Sequence, residues 1–233
     1  NRQALIQSAV ELVIEKGLKA ATTRAIARGA GVGDATIYNY FPTKESILYG
    51  YYADALDVAA ESVSRIQDFE SFDLREKLQT LIETVLEGLL GDREFVEQTF
   101  PSIFFHPIPL DKGLRGIRSR FISIVDSMVT DSVSQGEVPE VLFKELILHF
   151  IWDFFIAAIL YWLKDDSEQF SNTSIFVDKS LDLGYVLLRS GVSEKVAGLA
   201  SFLFKSHVLS RVDLLMEQRD AFQRIKKEFM SHD

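Results

Sequence analysis

Between Ala21 and Leu48 the sequence reads ATTRAIARGAGVGDATIYNYFPTKESIL, with two short helical patterns on either side of a glycine turn. Thr22 or Thr23 is placed to cap the first pattern, because an N-cap hydroxyl accepts an orphan backbone N–H. Ile26, Ala27 and Ala30 recur at helical spacing on one face. Gly31 takes the position just past the helix end, where a left-handed backbone closes the last turn at least cost. Residues 34–41 are expected to form a second helix, with Ile37 and Phe41 inward at i, i+4. Pro42 stops it, since the residue before a proline avoids the α region, and Thr43 caps a third helix. A close helix crossing needs a small residue such as Ala27, and the tight turn needs a positive φ. A short turn followed by an exposed helix places a recognition helix in a major groove. An ordinary helical hairpin shares this local pattern.

The residues around the turn narrow the choice. Arg2, Leu5, Ile6, Ala9, Leu12 and Gly17 precede it; Thr22, Thr23, Ile26, Ala27, Ala30, Gly31 and Val32 build it; Thr36, Ile37, Tyr38, Tyr40, Phe41, Lys44 and Glu45 follow. In these positions the chain resembles the TetR family of transcriptional regulators over about its first fifth. The resemblance implies an all-α protein that works as a homodimer. Residues 1–47 would be a three-helix helix-turn-helix DNA-binding domain, and residues 48–233 a larger helical ligand-binding and dimerisation domain. It further implies a repressor on a palindromic operator, released by a mainly apolar or aromatic small molecule, with no cofactor.

Charge agrees with that division. The whole chain carries a net −9, which is unusual for a DNA binder. Residues 1–50 hold six basic against four acidic residues, a net +2, and the remainder holds 19 basic against 30 acidic, a net −11. An acidic body repels phosphate and presents the N-terminal head to DNA. The absence of cysteine excludes a disulfide framework and thiol chemistry. It suits a cytoplasmic protein, and the N-terminus carries no signal pattern. Because the chain begins at Asn1, leader residues are expected to precede it.

Helical periodicity continues through the rest. Helices are expected over residues 2–16, 44–66, 74–90, 93–100, 110–135, 140–164, 175–189, 193–206 and 208–230. Pro101 is expected to stop the fourth, SIFFHPIPLDKG to be irregular, and SEQFSNTS (167–174) to be a polar loop. The run LILHFIWDFFIAAILYWL (146–163) is eighteen residues long, the lower margin for a membrane span. His149 and Asp153 inside it favour a helix buried between the body and a second subunit. A four-helix bundle from residues 140–164 and 172–190 of two copies is the expected dimer contact, with no membrane partner.

Phosphate contacts supply most affinity for DNA and base edges supply specificity. By match to the family pattern, Thr22, Thr23, Tyr38 and Lys44 are assigned to phosphates. Tyr40 offers a second hydroxyl on a rigid stem. Ala35, Thr36 and Asn39 face outward to read bases, and Arg24 reaches either partner. Two positions depart from the pattern. Gly33 stands where a capping serine is usual, and Asp34 is acidic where the family is basic or neutral. Asp34 is expected to replace the cap or to accept from a cytosine amine. In the body, the aromatics Phe104, Phe105, Phe121, Trp152 and Phe155 are expected to line an apolar cavity, with His106, His149 and Asp153 as its polar groups.

Enzymatic constellations are missing: no GxSxG elbow, no GxxxxGK loop and no HExxH. Asp165 and Asp166 form only half of an aspartate-rich diphosphate motif, since Gln169 stands at the third carboxylate. The competing expectation is a helical carrier or interaction protein whose helix-turn-helix no longer binds DNA.

Overall fold

The computed structural model of the chain describes residues 1–105, 112–140 and 144–190. His106 and the helices expected over 193–206 and 208–230 lie outside them. The described residues are helices joined by turns, with no strand among them. Eight α-helices follow in order: α1 (Arg2–Lys16), α2 (Thr23–Gly29), α3 (Lys44–Ser64), α4 (Leu74–Leu90), α5 (Arg93–Phe104), α6 (Lys112–Ser134), α7 (Lys144–Lys164) and α8 (Ser171–Arg189).

Local chemistry sets most of these ends. Gly17, at φ 81°, closes α1. Thr43 opens α3 through a capping box: its hydroxyl accepts from Ser46 N–H at 3.1 Å, and Ser46 Oγ accepts from Thr43 N–H. Asp73 and Glu76 make the equivalent box at α4. Glu137 then accepts from Leu74 N–H at 2.8 Å, tying the start of α4 to the end of α6.

Helix α3 is the spine. It packs on α1 at its head end and on α4 and α6 along the body. Its buried stripe includes Tyr52, Leu56, Ala59 and Val63. Arg2 pairs with Asp54 at 2.5 Å and lies over the Phe41 ring, fixing α1 and the end of the recognition segment to α3. Arg120 pairs with Asp57 at 2.5 Å and fixes α6 to the same helix. Head and body therefore hold α3 through carboxylates one turn apart.

Two expected boundaries are corrected. Pro101 does not end α5, which continues to Phe104. The ring removes one N–H from the ladder, but Phe100 and Ile103 are buried on the same face and hold the extra turn in place. The segment 167–174 is not wholly a loop either, because α8 begins at Ser171. Asp165 organises this start from outside the helix. Its carboxylate accepts from Ser167 N–H at 2.9 Å, Thr173 N–H at 2.8 Å and Thr173 Oγ1–H at 2.6 Å. Burial opposes ionisation here, but these hydrogen bonds outweigh it and hold the carboxyl well below its ordinary range.

Helix α7 is long and apolar enough to cross a membrane, with a mean hydropathy of 2.0. One face, with Trp152, Phe155, Ala158, Ile159 and Trp162, is buried against the body. The other exposes Leu146, Phe150 and Tyr161, beside Ile175, Leu183, Val186 and Leu187 of α8.

Candidate functional site

The turn in the head is built as the sequence implies. Thr22 caps α2 by accepting from Ala25 N–H at 3.2 Å. At the other end Val32 N–H bonds to Ala27 C=O at 2.9 Å, and Gly31 N–H to Arg28 C=O at 3.1 Å. This is the paired 6→1 and 5→2 closure of a Schellman motif, and Gly31 supplies its left-handed residue at φ 66°. Ala27 is fully buried. A close contact between α1 and α2 lies two residues further on. A Cβ at Gly29 would collide with Ser8 Oγ, which is buried and donates to Ile26 C=O at 3.0 Å.

Beyond the turn the structure departs from expectation. Residues 34–41 do not form an α-helix. They make a turn and one 3₁₀ turn, Ile37–Asn39, closed by Thr36 N–H to Gly33 C=O and Tyr40 N–H to Ile37 C=O. No side chain caps it, so Asp34 does not replace the missing serine. One α-type bond, Phe41 N–H to Ile37 C=O at 2.8 Å, follows the i→i+3 bonds. Ile37 and Phe41 are nonetheless buried, and this anchors the segment to the head core.

The exposed face then carries Asp34, Ala35, Tyr38, Asn39 and Tyr40, with Thr36 half-buried. Tyr38 OH and Thr23 Oγ1 stand 3.5 Å apart, which puts a hydroxyl pair across the two elements. Arg24 Nε lies 3.2 Å from Asp34 Oδ2. Lys44 is half-buried, and its Nζ donates to Leu18 C=O at 2.9 Å, which commits one of its three donors inside the head. Thr22 is exposed at the mouth of α2. The fold therefore gathers all ten of the DNA-facing candidates into one head.

In the body, Phe104, Phe105, Trp152 and Asp153 line a surface groove of about 320 Å³ with Leu114, Ile156, Ala157 and Leu160. Phe121 and Phe155 sit behind it, stacked at 4.5 Å and buried. His149 and Asp153 are exposed on α7, not enclosed among apolar groups as expected. Spacing cannot separate the two faces of a helix that is apolar nearly all round. The rings pack on each other: Phe100 on Phe104 at 4.2 Å, Tyr52 on Phe104 at 5.2 Å, and Phe104 on Trp152 at 6.2 Å. Only about 10 Å³ of space remains beside Tyr52, Ile117 and Phe155. Tyr52, on the buried stripe of α3, links this cluster to the spine. Its hydroxyl pairs with Thr99 Oγ1 at 2.7 Å, and burial pushes it above the ordinary tyrosine range.

Sequence and structure comparisons agree with this geometry. A family model described as bacterial regulatory proteins, tetR family, matches residues 5–49. One described as tetracyclin repressor-like, C-terminal domain, matches residues 77–203. The fatty acid metabolism regulator protein of Bacillus subtilis (strain 168) is 26% identical over 166 residues, spanning 70% of this chain and 84% of that protein. The structure of the transcriptional regulator FadR from Bacillus subtilis in complex with stearoyl-CoA superposes with a TM-score of 0.59. It is 24% identical and covers 82% of this chain and 99% of its own. Thermus thermophilus FadR, a transcriptional repressor in complex with lauroyl-CoA, gives a TM-score of 0.61 at 21% identity, over 78% and 93% of the two chains. These two likenesses are of fold.

Proposed function

The chain belongs to the TetR family of bacterial regulatory proteins, and from that premise we propose that it represses transcription by binding a palindromic operator as a homodimer. Residues 1–47 act as the DNA-binding head and residues 48–233 as the effector-binding and dimerisation body. The observation that carries this reading is the row Asp34, Ala35, Tyr38, Asn39 and Tyr40, exposed on a segment whose Ile37 and Phe41 are locked into the head. Thr22, Thr23, Tyr38 and Lys44 hold phosphates; Ala35, Thr36 and Asn39 face base edges. Two heads spaced about 34–36 Å apart, or a multiple of that, meet successive major grooves. A protein of this kind works in the cytoplasm.

The effector is a mainly apolar molecule. The two FadR structures hold stearoyl-CoA and lauroyl-CoA, so the reading extends to a long-chain acyl thioester. It enters at the groove beside Phe104, Phe105 and Trp152. Because the rings behind it leave almost no space, entry must part Phe104 from Trp152 and Tyr52. Tyr52 belongs to α3, so this displacement is felt by the helix that carries the heads. The effector must bind the displaced state more tightly than the packed one for release to follow.

Selection of bound fragments from random DNA, repeated with and without stearoyl-CoA, tests the proposal. A palindromic motif that is lost when stearoyl-CoA is added supports it. A carrier without DNA binding enriches nothing.

A further inference from the structure

Resting on that operator-binding reading, we infer that Arg24 and Asp34 act as one base-reading unit, the arginine taking a guanine and the aspartate an adjoining cytosine amine. Arg24 lies on α2 and Asp34 opens the recognition segment, and their ion pair at 3.2 Å is the direct side-chain link between those two points. Both side chains are largely exposed, at 78% and 61%. An exposed pair of this kind contributes little to folding, and Asp34 caps no helix. The pair therefore has no structural work that explains it.

Its chemistry fits a groove edge. The contact uses Nε of the guanidinium and one oxygen of the carboxylate. Among the described residues no hydrogen bond or ion pair occupies the two Nη groups of Arg24 or the Oδ1 atom of Asp34. Two parallel N–H donors match the O6 and N7 acceptors of guanine, and a carboxylate oxygen accepts from cytosine N4. Pairing with Asp34 biases the arginine toward approaches that leave its two Nη groups free, so less rotamer freedom is lost when it meets the base. It also neutralises an anion that would otherwise repel the phosphates on every DNA sequence. Asp34 is thus a positioning and discriminating residue: it presents Arg24 and rejects thymine, whose O4 is an acceptor.

The test is selection from random DNA with the full chain and its Arg24→Ala, Asp34→Ala and Asp34→Asn variants, each checked by circular dichroism for unchanged helix content. The wild type is expected to select a palindrome with a guanine and an adjoining cytosine fixed in each half-site, each preferred about tenfold or more over other bases. Arg24→Ala flattens the guanine position, Asp34→Ala flattens the cytosine position, and both leave the rest of the motif intact. Asp34→Asn shifts the neighbouring preference from cytosine toward adenine, because an amide both donates and accepts. Asp34→Ala also binds non-operator DNA more tightly than the wild type, because it removes a negative charge from the phosphate-facing surface. An unaltered wild-type motif in all three variants overturns the inference and leaves operator binding standing. A wild type that selects no motif overturns both.

Discussion

Two glycines in the head do different work, and substitution separates them. Gly31 holds φ at 66°, yet a Cβ there would meet nothing within 4 Å. Its requirement is conformational, so Gly31→Ala is expected to lower stability by about 1–2 kcal/mol. Gly29 is helical, but its Cβ would displace Ser8 Oγ and break a buried hydrogen bond. Gly29→Ala is expected to lose about 2–3 kcal/mol from overpacking and the orphaned polar group. Ser8→Ala in the same chain should recover part of that loss. Urea titration followed by circular dichroism measures both, and equal losses would contradict the distinction. Gly31 was legible in the sequence because its role is local. The role of Gly29 was not, since it depends on Ser8, 21 positions away. The opposite miss occurred at His149 and Asp153, which the apolar run around them in sequence suggests are enclosed but which are exposed on α7.

Helices whose ends are written in nearby residues were legible almost to the residue. Thr43 caps α3 in both sequence and structure, and α1 and α4 span the 2–16 and 74–90 that periodicity predicts, closed by Gly17 and Gly91. Elements held by distant groups were not. The extra turn of α5 past Pro101 rests on buried Phe100 and Ile103, and the recognition segment is held by Ile37 and Phe41 buried in the head, not by a long helix of its own. The start of α8 depends on Asp165, six residues before Ser171. That carboxylate predicts a pH effect. Its folded-state pKa is depressed below the ordinary value of 3.8. It therefore contributes stability that is fully present above that value and is lost as pH falls further. In Asp165→Asn the stability should fall less steeply with acid below about pH 4. Parallel curves for wild type and variant, from urea midpoints between pH 5 and 2.5, would show that Asp165 does not hold α8.

For the whole molecule the exposed apolar faces of α7 and α8 set the expectation. Leu146, Phe150, Ile175, Leu183, Val186 and Leu187 are exposed on these two helices, and each one buried against a second copy would contribute about 1.5–3 kcal/mol. Sedimentation of the wild type should give twice the chain mass. Phe150→Glu with Leu183→Glu, at positions 62% and 61% exposed here, should give a folded monomer that binds the operator at least about tenfold more weakly. A wild type that sediments as a monomer contradicts the dimer. The two faces also explain why α7 reads as a candidate membrane span: it is apolar on the side packed against the body and carries Leu146, Phe150 and Tyr161 exposed on the other.

Affinity for the selected operator as a function of salt is the most direct measurement. If Thr22, Thr23, Tyr38 and Lys44 of two heads hold phosphates, the wild-type dissociation constant should rise at least about tenfold between 50 and 200 mM salt. Tyr38→Phe combined with Lys44→Ala should weaken binding and flatten that slope, with the melting temperature recorded because Lys44 also bonds to Leu18 C=O. A folded double variant that binds the operator as tightly as the wild type, or a wild type indifferent to salt, would contradict DNA binding by this head.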